Sequence, residues 1–493
     1  MTPRAPRRLT GRALVVGSGP NGLAGAIVLA EAGLDVTVAE ENYAPGGGLR
    51  SAELLVPGVV HDLCSAVHPL AQASPFYRAR AADLKKHGLQ FLSPEVDACH
   101  PLPDQKAGVL LTGVGETARG LGDGRDRRAW QLALGPLAER ADELAGEFLR
   151  PPLHLPRRPM LAARFGALAG MPAAALTGAL RSPAAKALAA GIFAHAFAPH
   201  HLPASAAPGL LLAAAGHRHG WPVARGGSAA IARALVGLLE DLGGRVETGR
   251  AIDDAGELSG FDVVLLDTSL ERAASILGEL LPARVAGAWR RFRRGPAVAK
   301  IDAVVEGEIP WLEPQARRAG TVHLGGEARD VARAERDCWT GRLPERPFTL
   351  VAQQHLADPS RSTTDGSGRR LNPVWAYSHV PAGWDATEDE AWELVSAQIE
   401  RAAPGFRERV VARRALPPRE IEAHNANNVG GDIAGGANGP IQLLARPRLL
   451  GDPYSTGVPG VYVCSASTPP GGGVHLAAGE NAARSALRWL ERR

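Results

Sequence analysis

The run Ala13-Leu-Val-Val16 followed by Gly17-Ser-Gly19-Pro-Asn-Gly22 constrains this chain more than any other feature. A short apolar strand enters a glycine-rich turn, and the turn opens a helix. Leu23, Ile27 and Ala30 recur on one helical face, and Gly33 supplies a left-handed cap. Val36-Thr-Val-Ala39 then reads as a second strand, closing a βαβ unit. The spacing has a mechanical reason: Gly17 permits the tight turn, Gly19 admits a pyrophosphate to the backbone, and Gly22 lets helix and strand pack closely. The loop, with Ser18, Pro20 and Asn21 between its glycines, is expected to hold phosphates at the free N–H groups of the helix start. Glu40, 18 residues after Gly22, falls where a carboxylate accepts hydrogen bonds from an adenosine ribose. With 58 glycines in 493 residues, three at this spacing arise about once by chance, so the flanking strand, helix and acid make the signal.

A second glycine cluster follows in Ala44-Pro-Gly-Gly-Gly-Leu-Arg-Ser51, where Gly47, Gly48, Leu49 and Arg50 are candidates to touch the same cofactor. Near the other end, Gly460-Val-Tyr-Val-Cys464 is strand-like, and Ser465 to Gly473 makes a Pro- and Gly-rich turn. A helix is expected from Val474 through Ala483, Leu487 and Leu490. Between these ends lie Arg225-Gly-Gly-Ser228, a helical stripe at Ile231, Leu235, Leu238 and Leu242, and strands around Val246 and over Phe261 to Leu266.

Together with His61-Asp-Leu-Cys-Ser-Ala-Val-His-Pro69, Ser74-Pro-Phe76 and Arg446-Pro447, these segments resemble the phytoene desaturase-like FAD-dependent oxidoreductases, which are related to FAD-dependent amine oxidases. Within that group the resemblance is to the branch of pyridine nucleotide-disulfide oxidoreductase domain-containing protein 2. It implies an α/β fold: a Rossmann-type FAD-binding domain with a discontinuous α+β substrate domain. It also implies that Val246 touches the adenine end, and that Ser465, Gly472, Gly473 and Val474 lie along the flavin. Two departures stand out. Cys464-Ser465-Ala466 replaces the Gly-Asp pair that holds the ribityl chain in many relatives, leaving Ser465 as the substitute. Cys64, Cys99, Cys338 and Cys464 form no redox pair and no zinc spacing.

The expected division assigns 1–95, 215–295 and 405–493 to the FAD domain, and 96–214 and 296–404 to the substrate or cap domain. Strands are expected over Val298 to Val305 and Phe348 to Gln354, and Arg361 to Arg370 is read as a mobile loop. The formal charge of +4 comes from scattered Arg residues without a basic and aromatic stripe, which argues against a nucleic-acid partner. No apolar stretch reaches the ~20 residues of a bilayer span. A cytoplasmic location is expected, with peripheral membrane contact through residues 160–215 left open.

Among the histidines, His195, His200, His201, His217 and His219 cluster in sequence but lack a zinc spacing, so no metal is expected. His68 and His475 are weak candidates for moving a proton near a flavin. Asn425, Asn427, Asn428 and Asp432 either face the substrate or serve as turn residues. The resemblance implies two-electron dehydrogenation, or the reverse saturation, of a small, largely apolar organic substrate. Without a second glycine fingerprint, the electron acceptor is oxygen, a quinone or a protein. A flavin amine or amino-acid oxidase, and an FAD-holding protein without turnover, are the alternatives.

Overall fold

Residues 10–103 and 105–493 are described by the computed structural model. The βαβ unit read from the sequence is its nucleus: Arg12–Val16, helix Pro20–Glu31 and strand Asp35–Glu40. Arg12–Val16 lies at the centre of a five-stranded parallel sheet ordered 461–463, 263–266, 12–16, 35–40, 245–248. Parallel strands buried on both faces carry apolar residues at every position. Ala13 and Val15 accordingly pack beneath helices Pro20–Glu31, Ala229–Asp241 and Ala477–Leu490, whereas Leu14 and Val16 face Leu270, Ala273 and Trp289. The first and last helices touch at a point that only glycine allows, since a Cβ on Gly479 would lie 1.8 Å from the Asn21 carbonyl oxygen.

The second sheet is mixed. Its order is Val410–Leu416, Ala297–Glu306, Arg370–Val380, Thr349–Ala352, Ala319–Leu324, Val96–Leu102, Gln105–Leu110, with Thr363–Thr364 beside Arg370–Val380. The period of two separates its faces. Ile301, Val322, Val351 and Ala376 form a core with Trp392, Val395 and Ile399 of helix Glu388–Ala402. The other face carries Thr321, Ala352 and Trp375 in one cross-strand row and His323, Leu350, Tyr377 and Lys300 in the next. Helices from Val114 to His219 build the wall opposite.

Two expectations need correction. Val410–Leu416 pairs with Ala297–Glu306, so the chain is still in the second sheet beyond residue 405 and returns to the first only at Val461. Arg361, read as part of a mobile loop, is fully buried. Its guanidinium pairs with the buried Asp62 and with Asp358, and donates to the Ala224 carbonyl at 2.8 Å. Polar composition marked the segment as loop, but its partners arrive from distant parts of the chain. Among the described residues, no helix is long and apolar enough to cross a membrane.

Candidate dinucleotide site and adjoining cavity

The glycine turn sits at the carboxyl end of the parallel sheet, where α/β folds place their ligands. Gly17 has φ +95°, and a Cβ on Gly22 would lie 2.1 Å from the Gly17 carbonyl oxygen, so the turn closes only with glycine there. The second cluster docks on the first, with Gly46 N donating to the Ser18 carbonyl at 3.1 Å and to Ser18 Oγ at 3.0 Å. Glu40 is held from both sides: Ser18 N and Oγ donate to Oε2 at 2.9 and 2.6 Å, and Asn42 N and Nδ2 donate to Oε1 at 2.9 and 2.8 Å. Burial works to raise this carboxyl, but those four hydrogen bonds outweigh it and keep Glu40 below the usual carboxylate range. Arg50 donates to the Gly47 carbonyl at 3.1 Å and the His424 carbonyl at 2.7 Å, and makes no ion pair among the described residues.

From this turn a continuous cavity of about 930 Å³ runs between the two sheets. Of the expected cofactor residues, Gly17, Gly19, Pro20, Asn21, Glu40, Gly47, Gly48, Arg50, Ser465, Gly472, Gly473 and Val474 line it. Ser18 and Gly22 lie one layer behind, bonded to Glu40 and Asp267. Leu49 and Val246 do not reach it. Leu49 is a core residue, and Val246 pairs with Val38 and packs into the same core; Arg250, Ala251 and Ile252 line the cavity in its place.

The remainder of the cavity is apolar and aromatic, with Phe165, Phe197, Leu211, Trp221, Leu350, Trp375 and Tyr377 in its walls. Trp375 and Tyr377 stand edge to face, centroids 5.1 Å apart at 84°. Behind Trp375, Lys300 Nζ lies 5.7 Å from the ring centroid and pairs with Asp302. His195 lines the cavity between Trp221, 5.2 Å away, and His323, with the two imidazole Nε2 atoms 3.1 Å apart. Desolvation keeps His195 neutral at ordinary pH by pushing it down to about 3. The sequence reading missed Lys300, Asp302, Trp375 and Tyr377, whose strands are buried on both faces; the alternation Lys300-Ile301-Asp302 inside a buried strand was the signal that could have found the first two.

Both candidate proton carriers also line the cavity. His475 accepts from Ala477 N at Nδ1 (3.1 Å), and its Nε2 bonds the Gly471 carbonyl (3.1 Å), so both ring nitrogens are engaged. The expected helix therefore starts at Ala477 rather than Val474, with its first amide capped by His475. His68 Nε2 bonds Ser228 Oγ at 2.9 Å. Burial lowers both histidines to about 4. His217 and His219 bond Trp130 and Asp142. Asn425, Asn427 and Asn428 line the cavity, whereas Asp432 staples backbone by accepting from Gly295 N and Ala434 N.

Residues 15–79 match the model of an NAD(P)-binding Rossmann-like domain. That match settles the nature of the turn. The chain carries a Rossmann-type dinucleotide-binding domain. Over 97% of its length it is 25% identical to the pyridine nucleotide-disulfide oxidoreductase domain-containing protein 2 of Rattus norvegicus, covering 94% of that protein. Solved structures share the whole fold: an oxidoreductase from Methanosarcina mazei (TM-score 0.59, 14% identity, 97% of this chain and 100% of that one) and a putrescine oxidase bound to putrescine (0.60, 16%, 98% and 100%). Cyclohexylamine oxidase from Brevibacterium oxydans follows at 0.55 and 14%, with 98% and 99% covered. The mixed α/β architecture is thus shared with these solved structures.

Proposed function

We propose that this protein is an FAD-dependent oxidoreductase that dehydrogenates a largely apolar substrate by two electrons, or runs the reverse saturation. The observation that carries the reading is the continuity of one cavity from the dinucleotide turn to the aromatic wall of Trp221, Trp375 and Tyr377. The residues present fit the cofactor: a glycine cradle without Cβ atoms, an ionised Glu40 for ribose hydroxyls, and an unpaired Arg50 cation facing the same space. FAD, when bound, supplies the two-electron chemistry. Gly17 to Asn21 and Glu40 would hold its pyrophosphate and ribose, while Arg50, Ser465 and Gly472 to Val474 would border the flavin. The apolar walls exclude water and orient the substrate. Burial lowers His68, His195 and His475 to about 4, 3 and 4, which leaves each a weak base, so the chain offers chiefly positioning.

A single Rossmann unit among the described residues supports reoxidation by oxygen, a quinone or a protein. Leu444 lines the cavity and is exposed, as are nearby Leu155 (91%) and Ile441 (82%); this apolar rim supports peripheral contact with a lipid surface that delivers the substrate. Amine oxidation is the second reading, favoured by the fold shared with two amine oxidases and by the perpendicular Trp375 and Tyr377 rings. The test is a visible spectrum of the purified protein, then anaerobic bleaching by polyenes and other apolar alkenes, amines, and NAD(P)H. Bleaching by an apolar alkene supports the proposal, bleaching by amines alone moves it to the second reading, and a colourless protein that refuses added FAD overturns it.

A further inference from the structure

Val263–Leu266 ends next to the central strand, and the residue that follows it, Asp267, reaches across to the glycine turn. Asp267 Oδ2 accepts from the Gly22 amide at 2.8 Å and lies 2.5 Å from where a Cβ on Gly19 would stand. The side chain is only 6% exposed yet lines the cavity, and Oδ1 has no hydrogen-bond partner among the described residues. An acid therefore sits within the glycine turn, against Gly19 and Gly22, at the edge of the space a diphosphate would take. A carboxylate there would repel the dianion at a distance where charges interact strongly in a poorly solvated site. A carboxylic acid would instead donate to it.

We propose that Asp267 is a cofactor-binding residue that works as a neutral acid: its unpartnered oxygen carries a proton toward the diphosphate, and uptake of the dinucleotide binds one proton from solvent. The proposal rests on the FAD reading above. The surroundings agree with it. Glu40, at the end of the strand beyond the central one, is near enough to act on Asp267, the buried Cys464 thiol lies on the other side, and Asn427 Nδ2 donates to the Asp267 carbonyl at 3.0 Å. Helix Pro20–Glu31 brings no charge near its start. Of the cations that share the cavity at this end, Arg250 pairs with Glu247 and Arg272 with Asp253, while Arg50 donates to the Gly47 and His424 carbonyls and not to Asp267. Burial pushes the Asp267 carboxyl up to about 7 against the Gly22 amide, which lowers it, and Glu40 adds to the rise.

The sign follows from linkage. Below about pH 7 the carboxyl is protonated in both states and affinity is flat. Above it the free protein loses the proton while the diphosphate holds it in the complex, so affinity falls with rising pH. The experiment titrates apo-protein with FAD by fluorescence quenching from pH 6 to pH 8. The expected Kd is about tenfold weaker at pH 8, with Asp267→Asn flat within about twofold. Should that variant not fold, calorimetry of the wild type in two buffers of different ionisation enthalpy reads the proton directly, close to one taken up per FAD at pH 8 and near none at pH 5.5. A pH-independent wild-type Kd, or a slope that survives in Asp267→Asn, overturns the inference while leaving FAD binding intact. Failure to take up FAD at any pH overturns both readings.

Discussion

Arg361→Met should be among the most destabilising substitutions in the chain. Arg361 and Asp62 are both fully buried, and the pair joins the segment after His355 to the short hairpin of Ser51–Ala52 and His61–Asp62. Asp62 also accepts from Ser51 Oγ and Ser228 N, each at 2.7 Å. Those bonds remain after the substitution, but the charge loses its counter-ion inside the protein. Removing one partner of a buried pair costs about 3–5 kcal/mol, because the survivor stays charged in a low-dielectric site. Urea unfolding at pH 7 reads the loss, and Arg361→Met combined with Asp62→Asn should recover much of it. Acid supplies a further check. Burial opposes ionisation of Asp62, but Arg361 and the two other donors hold its folded pKa below the ordinary value. The contribution of the pair is therefore complete above the unfolded carboxylate pKa and is lost as pH falls through the lower folded one. A loss below about 1 kcal/mol at pH 7 would refute the view of this segment as a buried strap.

Gly22→Ala should abolish FAD uptake in an equilibrium titration, since its Cβ would overlap the Gly17 carbonyl oxygen within the turn itself. Glu40→Gln keeps the shape but weakens the charge-assisted bonds from Ser18 and Asn42, and should raise the Kd for FAD about tenfold or more by the same assay. Buried His68, His100 and His475 have folded pKa values near 4, below the usual 6.5, so the unfolded chain binds more protons between those values. Stability should therefore fall from about pH 6.5 toward pH 4, by about 1.4 kcal/mol per pH unit for each such group, followed by urea midpoints. A midpoint unchanged over that range would contradict their burial as neutral rings.

The turn from Gly17 to Gly22 was legible because its constraints are local: strand, turn, helix and terminal acid follow within 28 residues, from Ala13 to Glu40. Arg361 was misread for the opposite reason, since Asp62 stands 299 residues away in sequence and nothing local announces it. Val246 was placed at the adenine end by resemblance, whereas its strand position sends it into the core and leaves the cavity to Arg250. Asp267 gave the same signal as Glu40, an acid closing an apolar parallel strand. Its place is silent in the sequence because which end of the sheet a strand reaches is fixed by its distant pairing partners. The paired rows of Thr321, Trp375 and Tyr377 were hidden by burial on both faces, which erases the alternation that identifies a cavity wall.

The meeting of Asn21 and Gly479 has a bearing on how the molecule comes into being. The opening turn is synthesised more than 400 residues before the helix that seals it. Until residues 461–490 leave the ribosome, the sheet lacks an edge strand and the first helix lacks its cover, so a nascent chain exposes an unfinished apolar flank. Loss of the helix Ala477–Leu490 would therefore be felt at the opening turn, in the grip on the nucleotide, rather than locally.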